Sequence, residues 1–298
     1  MKALWQLTAA QLAEGFGAGA FTPEQALAAC LARTAEVNPR LNALVVLDAE
    51  GAAEAAAQST ARWRSGRALG ALDGVPATIK DNLQVRGLPT HWGSRALAGF
   101  VAERDELPVA RLREAGAVIF GKTNLPEFTM QGYTANPVFG PTGNPWNPAL
   151  TPGGSSGGAV ALVAAGGCPI ALGTDGGGSI RRPASHTNLV GLKPSRGRVR
   201  RGNGLPPIFL DFEVVGPMAR CVDDVAAVMR AIAPGAAADA PPGAKAARIL
   251  YLPRFADHPV DPRIARLVDA AAGNLAALGH EVTTLPRFAL AEAVNQRW

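Results

Sequence analysis

Aromatic residues are scarce in this chain, at 6% of 298 residues. Surfaces that stack single-stranded bases interleave aromatics with cations, so this scarcity argues against a nucleic-acid partner despite a formal net charge of +5. The basic residues form no long block. Their densest sites, Arg181-Arg182 and Arg200-Arg201, read as solvated surface or local ion pairs. Cysteine is equally thin: Cys30, Cys168 and Cys221 are odd in number and far apart, which excludes a disulfide framework and suits reduced thiols in the cytoplasm. No Cys/His grouping has zinc-ligand spacing, so neither a metal nor another cofactor is expected. No apolar run reaches the length that spans a bilayer, so no membrane partner is expected. Gln6, Gln11 and Glu14 interrupt the N-terminal stretch too early for a signal peptide.

What the chain has in quantity is hydrophobic residues, 48%, ample for a core. Apolar runs of strand length alternate with helical patterns. Leu4 to Glu14 reads as a helix, with Thr8 as its cap. Thr22-Pro-Glu-Gln25 reads as a capping box opening a helix that stops before Asn38-Pro39. Asn42–Leu47, Gly74–Ile79, Ala117–Phe120 and Pro169–Gly173 are strand candidates. Helices are expected over Asp48–Ser65, Asp105–Ala115, Ala159–Ala165 and Val222–Ala233. After an Ala/Pro/Gly linker at 234–243 come a strand (Ala247–Leu252), a helix (Pro262–Leu278), a strand (His280–Leu285) and the start of a helix at Ala289. The pattern predicts an α/β fold with helices on both faces of a sheet.

Two glycine-rich loops, each with serine, organise the middle of the chain: Gly153–Gly158 (GGSSGG) and Thr174–Ser179 (TDGGGS). The second joins a buried strand to a helical turn. Backbone N–H groups there lack intrahelical partners, and glycine lets them approach a ligand, so Ser179 sits where a nucleophile and an oxyanion site can coincide. A serine alcohol needs a base. None of His91, His186, His258 and His280 has a catalytic setting; His186, the nearest, reads as structural. A Ser-Lys pair is the other solution, with Lys80, after the apolar run Gly74–Ile79, as the candidate, although spacing alone does not choose it among the lysines. Two motif matches are set aside. Gly116–Thr123 fits G-x4-G-K-T, but its middle residues are apolar and strand-like where a phosphate loop needs a flexible turn. Gly154–Gly158 fits G-x-S-x-G, but the proline-rich segment before it is no strand.

GVPATIKDN, GLPTHWGS, AGAVIFGKTNLPEF, GNPWNPALTPGGSSGG, ALGTDGGGSIRRPA, VGLKPSRGRV and GPMAR follow one another between residues 74 and 220. In kind, order and spacing this set resembles the amidase signature family of serine hydrolases. The resemblance implies a single domain with a mixed, twisted sheet covered by helices: a helical part at 1–70, a catalytic core at 71–233 and an α/β part at 245–298. Family members are typically longer, which makes the chain a truncated or short variant whose pocket lacks a wall unless a partner chain supplies it; a homodimer is the other expectation.

The resemblance further implies a triad of Lys80, Ser155 and Ser179, with a cis peptide bond before Ser155 and Ser156 as the neighbouring alternative. Lys80 must then be neutral, a fall in pKa from about 10.4 towards 7 that costs roughly 4–5 kcal/mol. Gly176, Gly177, Gly178 and Ser179 would offer oxyanion donors, and Met130 a wall of the substrate site. Three departures stand out: Gly176 in place of a larger residue, His91-Trp92 in place of smaller ones, and Leu210–Val214 in place of an Asp-Gln element of amidotransferase subunits. The expected activity is hydrolysis of a small-molecule amide. The alternatives are a glutaminase subunit of a tRNA-dependent amidotransferase and a truncated, non-catalytic binding protein.

Overall fold

Helix starts are written into the N-terminal residues, and the computed structural model forms them there. It describes residues 2–206, 209–233, 246–255, 258–286, 288 and 293–294, in two compact units, 1–238 and 239–298. Thr8 caps α1 (Ala9–Gly17) and Thr22 caps α2 (Pro23–Leu41), each hydroxyl accepting from a glutamine N–H three residues on. Two boundaries differ from expectation. Thr8 is extended (φ −74, ψ 166), so Leu4–Gln6 forms a separate 3-10 turn. α2 runs through Pro39 because the turn is closed from Asn38: its carbonyl accepts from Asn42 N–H and its side chain from Ala43 and Leu44 N–H.

The remaining elements of the first unit are β1 (Leu44–Leu47), α3 (Ala49–Arg64), β2 (Pro76–Lys80), α4 (Leu107–Glu114), β3 (Val118–Thr123), α5 (Gly157–Ala164), β4 (Ile170–Asp175), α6 (Arg181–Thr187), β5 (Val190–Gly191), β6 (Val214–Ala219) and α7 (Val222–Ile232). The strands make one mixed sheet in the order β1-β3-β2-β4-β6-β5. Its centre, β3-β2-β4, is parallel, and β1, β6 and β5 pair antiparallel. The G-x4-G-K-T match lies largely inside β3, whose residues are all buried. β6 carries two poor strand formers, Gly216 and Pro217. A strand residue's N–H and C=O point to the same side, and the Pro217 carbonyl accepts from Leu192 N–H. The missing N–H therefore faces the thin edge where β5 has already ended.

Side chains alternate across the sheet with period two. Ala77, Ile79, Ile119, Ile170, Leu172 and Val215 join α1, α4 and α7 in one core cluster. Phe120, Ala171 and Met218 join α2, α3 and α5 in the other. Helices thus cover both faces, as the pattern predicts. The polar residues that matter gather at the carboxyl ends of β2 and β4, where open parallel sheets place their sites. Because β6 is antiparallel, its first residues lie at that same end: Asp175 pairs with Val214.

The second unit is a β-α-β crossover. β7 (Arg248–Tyr251) and β8 (Glu281–Thr284) pair in parallel, joined through α8 (Pro262–Ala277), which starts at the Asp261 cap. The strand ends fall within a residue or two of expectation. The linker at 234–243 lies outside the described residues, as does all but 293–294 of the helix expected from Ala289.

Candidate active site

Lys80 ends β2 and is fully buried. Its Nζ lies 2.7 Å from Ser155 Oγ, 2.9 Å from Thr174 Oγ1 and 3.5 Å from the Thr174 carbonyl. Burial drives the amine down to about 7, although Glu213 and Asp175 pull the other way. A lysine poised there exchanges its proton at neutral pH.

Ser155 comes from the loop that opens α5, and the Gly154–Ser155 bond is cis, as the family resemblance implied. Close packing holds this loop. A side chain at Gly158 would meet backbone atoms of Asn124 and Ala43 at 2.4–2.7 Å, and one at Gly154 would meet the Tyr133 backbone at 2.7 Å. The Arg182 guanidinium donates to the Gly154 carbonyl at 3.1 and 3.3 Å. Ser156 is turned away: its hydroxyl donates to the Thr174 carbonyl at 3.2 Å. The lysine contact therefore belongs to Ser155, which separates the two neighbouring serines.

The loop that carries Ser179 meets the Ser155 loop through the backbone. Ser156 N–H donates to the Ser179 carbonyl at 3.2 Å, and Ser179 retains 8% exposure while Ser155 is 1% exposed. Asp175 shapes this loop. It accepts from the N–H groups of Gly178 (2.7 Å), Ile180 (3.1 Å) and Arg181 (3.3 Å), and from the Arg181 guanidinium at 3.0 Å twice. Burial would raise this carboxyl, but Arg181 and the two nearer N–H groups outweigh it and hold it at about 2. One expectation is corrected here. The Gly178 N–H is taken by Asp175, so Gly178 is no oxyanion donor; its φ of +112 is the reason glycine stands there.

Met130 is 55% exposed, just past the 3-10 turn Glu127–Thr129. Its segment borders the serine loop, since Gly132 lies against Arg182 and the Tyr133 backbone against Gly154. His91 N–H donates to Asp81, its ring meets Phe139 edge-on, and Trp92 packs on Phe128. Lys122, the lysine of the G-x4-G-K-T match, is spent on Asp81 (3.1 Å), Thr90 (2.6 Å) and the Pro89 carbonyl (2.8 Å).

The family model for amidases matches residues 25–296. The chain belongs to the amidase family. Similar relatives include a glutamyl-tRNA(Gln) amidotransferase subunit of Acidothermus cellulolyticus, 46% identical over 78% of this chain and 46% of the relative. Its counterpart in Moorella thermoacetica is 41% identical over 95% of this chain and 61% of the relative. Among solved amidase structures, 6-aminohexanoate cyclic dimer hydrolase superposes with TM-score 0.84 at 34% identity, covering 95% of this chain and 61% of that one. The peptide amidase of Stenotrophomonas maltophilia gives 0.82 at 34%, covering 94% and 62%. The amidase chain thus spans 46–61% of the length of these two curated relatives.

Several polar residues around this amidase site carry no local sequence signal. Asp175 does: an Asp three residues before a glycine in a Gly-rich turn is placed to accept that glycine's N–H. Asn82, Glu106, Arg201 and Glu213 converge from positions far apart in the chain, which only the fold reveals.

Proposed function

We propose that this chain hydrolyses a carboxylic amide through a Ser179 acyl-enzyme, with Lys80 and Ser155 as proton relay. The observation that carries the reading is the 2.7 Å contact between a fully buried lysine amine and Ser155, in a loop hydrogen-bonded to Ser179. A neutral amine has two N–H bonds and one lone pair. Thr174 Oγ1 and the Thr174 carbonyl take the N–H bonds, which leaves the lone pair for the Ser155 hydroxyl proton. Ser155 in turn accepts the proton of Ser179 as Ser179 Oγ bonds to the amide carbon. The oxyanion forms against the N–H groups of Gly176, Gly177 and Ser179; losing one such donor typically costs about 3–4 kcal/mol. The C–N bond breaks as Ser155 protonates the departing nitrogen from the lysine side. Water then adds by the same relay, releasing carboxylate. Met130 offers an apolar wall to the acyl group. Three free cysteines suit a reducing, cytoplasmic compartment.

Lys80→Ala and Ser179→Ala are each expected to abolish turnover of small aryl-alkyl amides, with circular dichroism unchanged. Full activity in Ser179→Ala would remove that residue from the role.

A second reading rests on the 46% identity with an amidotransferase subunit. In it the amide is glutamine, and the ammonia passes to partner chains that also complete the pocket. Ammonia release from glutamine that requires added partner chains would favour this reading; turnover of small amides by the chain alone would favour the first.

A further inference from the structure

Beyond Lys80 a line of polar side chains continues through Thr174, Asn82 and Glu213 to Arg201. Thr174 Oγ1, which accepts from the lysine, also accepts from Asn82 Nδ2 at 3.0 Å. The same Nδ2 donates to Glu213 Oε1 at 3.1 Å. Glu213 Oε2 accepts from Arg201 at 2.7 Å, and Arg201 Nε donates to Glu106 at 2.6 Å. The two carboxylate side chains are 3% and 1% exposed and the arginine 16%. Asn82 Oδ1 is buried without a donor among the described residues. The amide's orientation therefore rests on the two acceptors its NH2 group faces. Turned over, it would set its oxygen against a carboxylate.

This arrangement rests on the amide-hydrolysis reading above and deepens it. We propose that Glu213 is a positioning residue for Lys80: through Asn82 and Thr174 it fixes the amine against Ser155, while Arg201, bridging Glu213 and Glu106, masks the carboxylate charge from the lysine. The other charges near Lys80 are already matched. On β4, Asp175 is paired with Arg181; on β3, Lys122 is paired with Asp81. α5 has no titratable residue, and α2 and the turn before β4 bring the thiols of Cys30 and Cys168, which burial keeps protonated. The Glu213–Arg201 pair is thus the adjustable charge. A carboxylate buried at this distance without Arg201 would favour the ammonium and disarm the base.

The test is the rate at which an alkyl fluorophosphonate labels Ser179 across pH 5–10, which needs no knowledge of the substrate. Labelling rises as Lys80 loses its proton. Arg201→Met, which unmasks Glu213, moves the midpoint of that rise up by about half to one pH unit. Glu213→Gln keeps an oxygen for Asn82 but removes the charge, and moves the midpoint down by a similar amount. Glu213→Ala slows labelling at every pH. Shifts of opposite sign are not what a purely structural role produces. Equal midpoints in wild type and Glu213→Gln overturn the inference, and that variant decides the matter even if Arg201→Met does not fold. Wild-type labelling that is absent, or that Lys80→Ala leaves unchanged, overturns the amide-hydrolysis reading and this inference with it. Labelling that depends on Lys80 but ignores the network overturns this inference alone.

Discussion

A buried lysine held near neutrality weakens the fold that contains it. In the unfolded chain Lys80 would keep its proton to about pH 10.4, whereas in the fold it is lost near 7. The folded value is the lower one, so protons favour the unfolded chain. The penalty is full below about pH 7, fades as pH rises towards 10.4 and is absent above it, and its ceiling is roughly 4–5 kcal/mol. Lys80→Met gives up the hydrogen bonds to Ser155 and Thr174 but escapes this penalty. It is expected to stabilise the protein by about 1–3 kcal/mol at pH 7, with the gain gone by pH 10.5. Urea unfolding at the two pH values checks this; a stability difference from wild type that is the same at pH 7 and pH 10.5 would contradict the lowered value. At this scale the sequence was informative only through motifs. Lys80, Ser155 and Ser179 stood in recognisable runs, and Asn82 closes the same run as Lys80, whereas Arg201 and Glu213 stood in none, because what brings Glu213 to Asn82 is the antiparallel return of β6 beside β4.

Elements were legible where one physical signal dominated. A threonine cap announced α1 and a capping box α2, and continuous apolar runs announced the buried parallel strands β2, β3 and β4. β6 was not legible, since Gly216 and Pro217 mask it and are tolerated only because two-residue β5 leaves that side of β6 largely unpaired. α5 was legible as a helix, but not why two glycines open it. The reason is space: its first turn presses on the backbone of Asn124 and Ala43. Gly158→Ala is expected to cost about 2–3 kcal/mol and, by lifting Ser155 off Lys80, to slow fluorophosphonate labelling of Ser179. Denaturant midpoints and labelling rates measure both. A variant within about 0.5 kcal/mol of wild type, a surface-like effect, would show that the helix has room to move and that the loop is not held by this contact.

The molecule as a whole assembles one site from both faces of one sheet's carboxyl edge. β2 carries Lys80, the proposed base; β4 leads into the loop with Asp175 and Ser179; and the entry to α5 carries Ser155, the proposed relay. The second unit is different in kind. α8 has no buried residue among those described, and Ile264, Leu267, Val268 and Leu278 are 46–75% exposed. The chain matches amidases over nearly its full length while spanning about three-fifths of the solved ones. The proposed amide hydrolysis turns on the protonation of one amine at the end of β2. That can be read directly by following the Lys80 side chain through a pH titration with lysine-selective isotope labelling and NMR, using Lys80→Met to assign the signal. The account predicts a midpoint near 7. A midpoint near 10.4, the value of a solvated lysine, would contradict it.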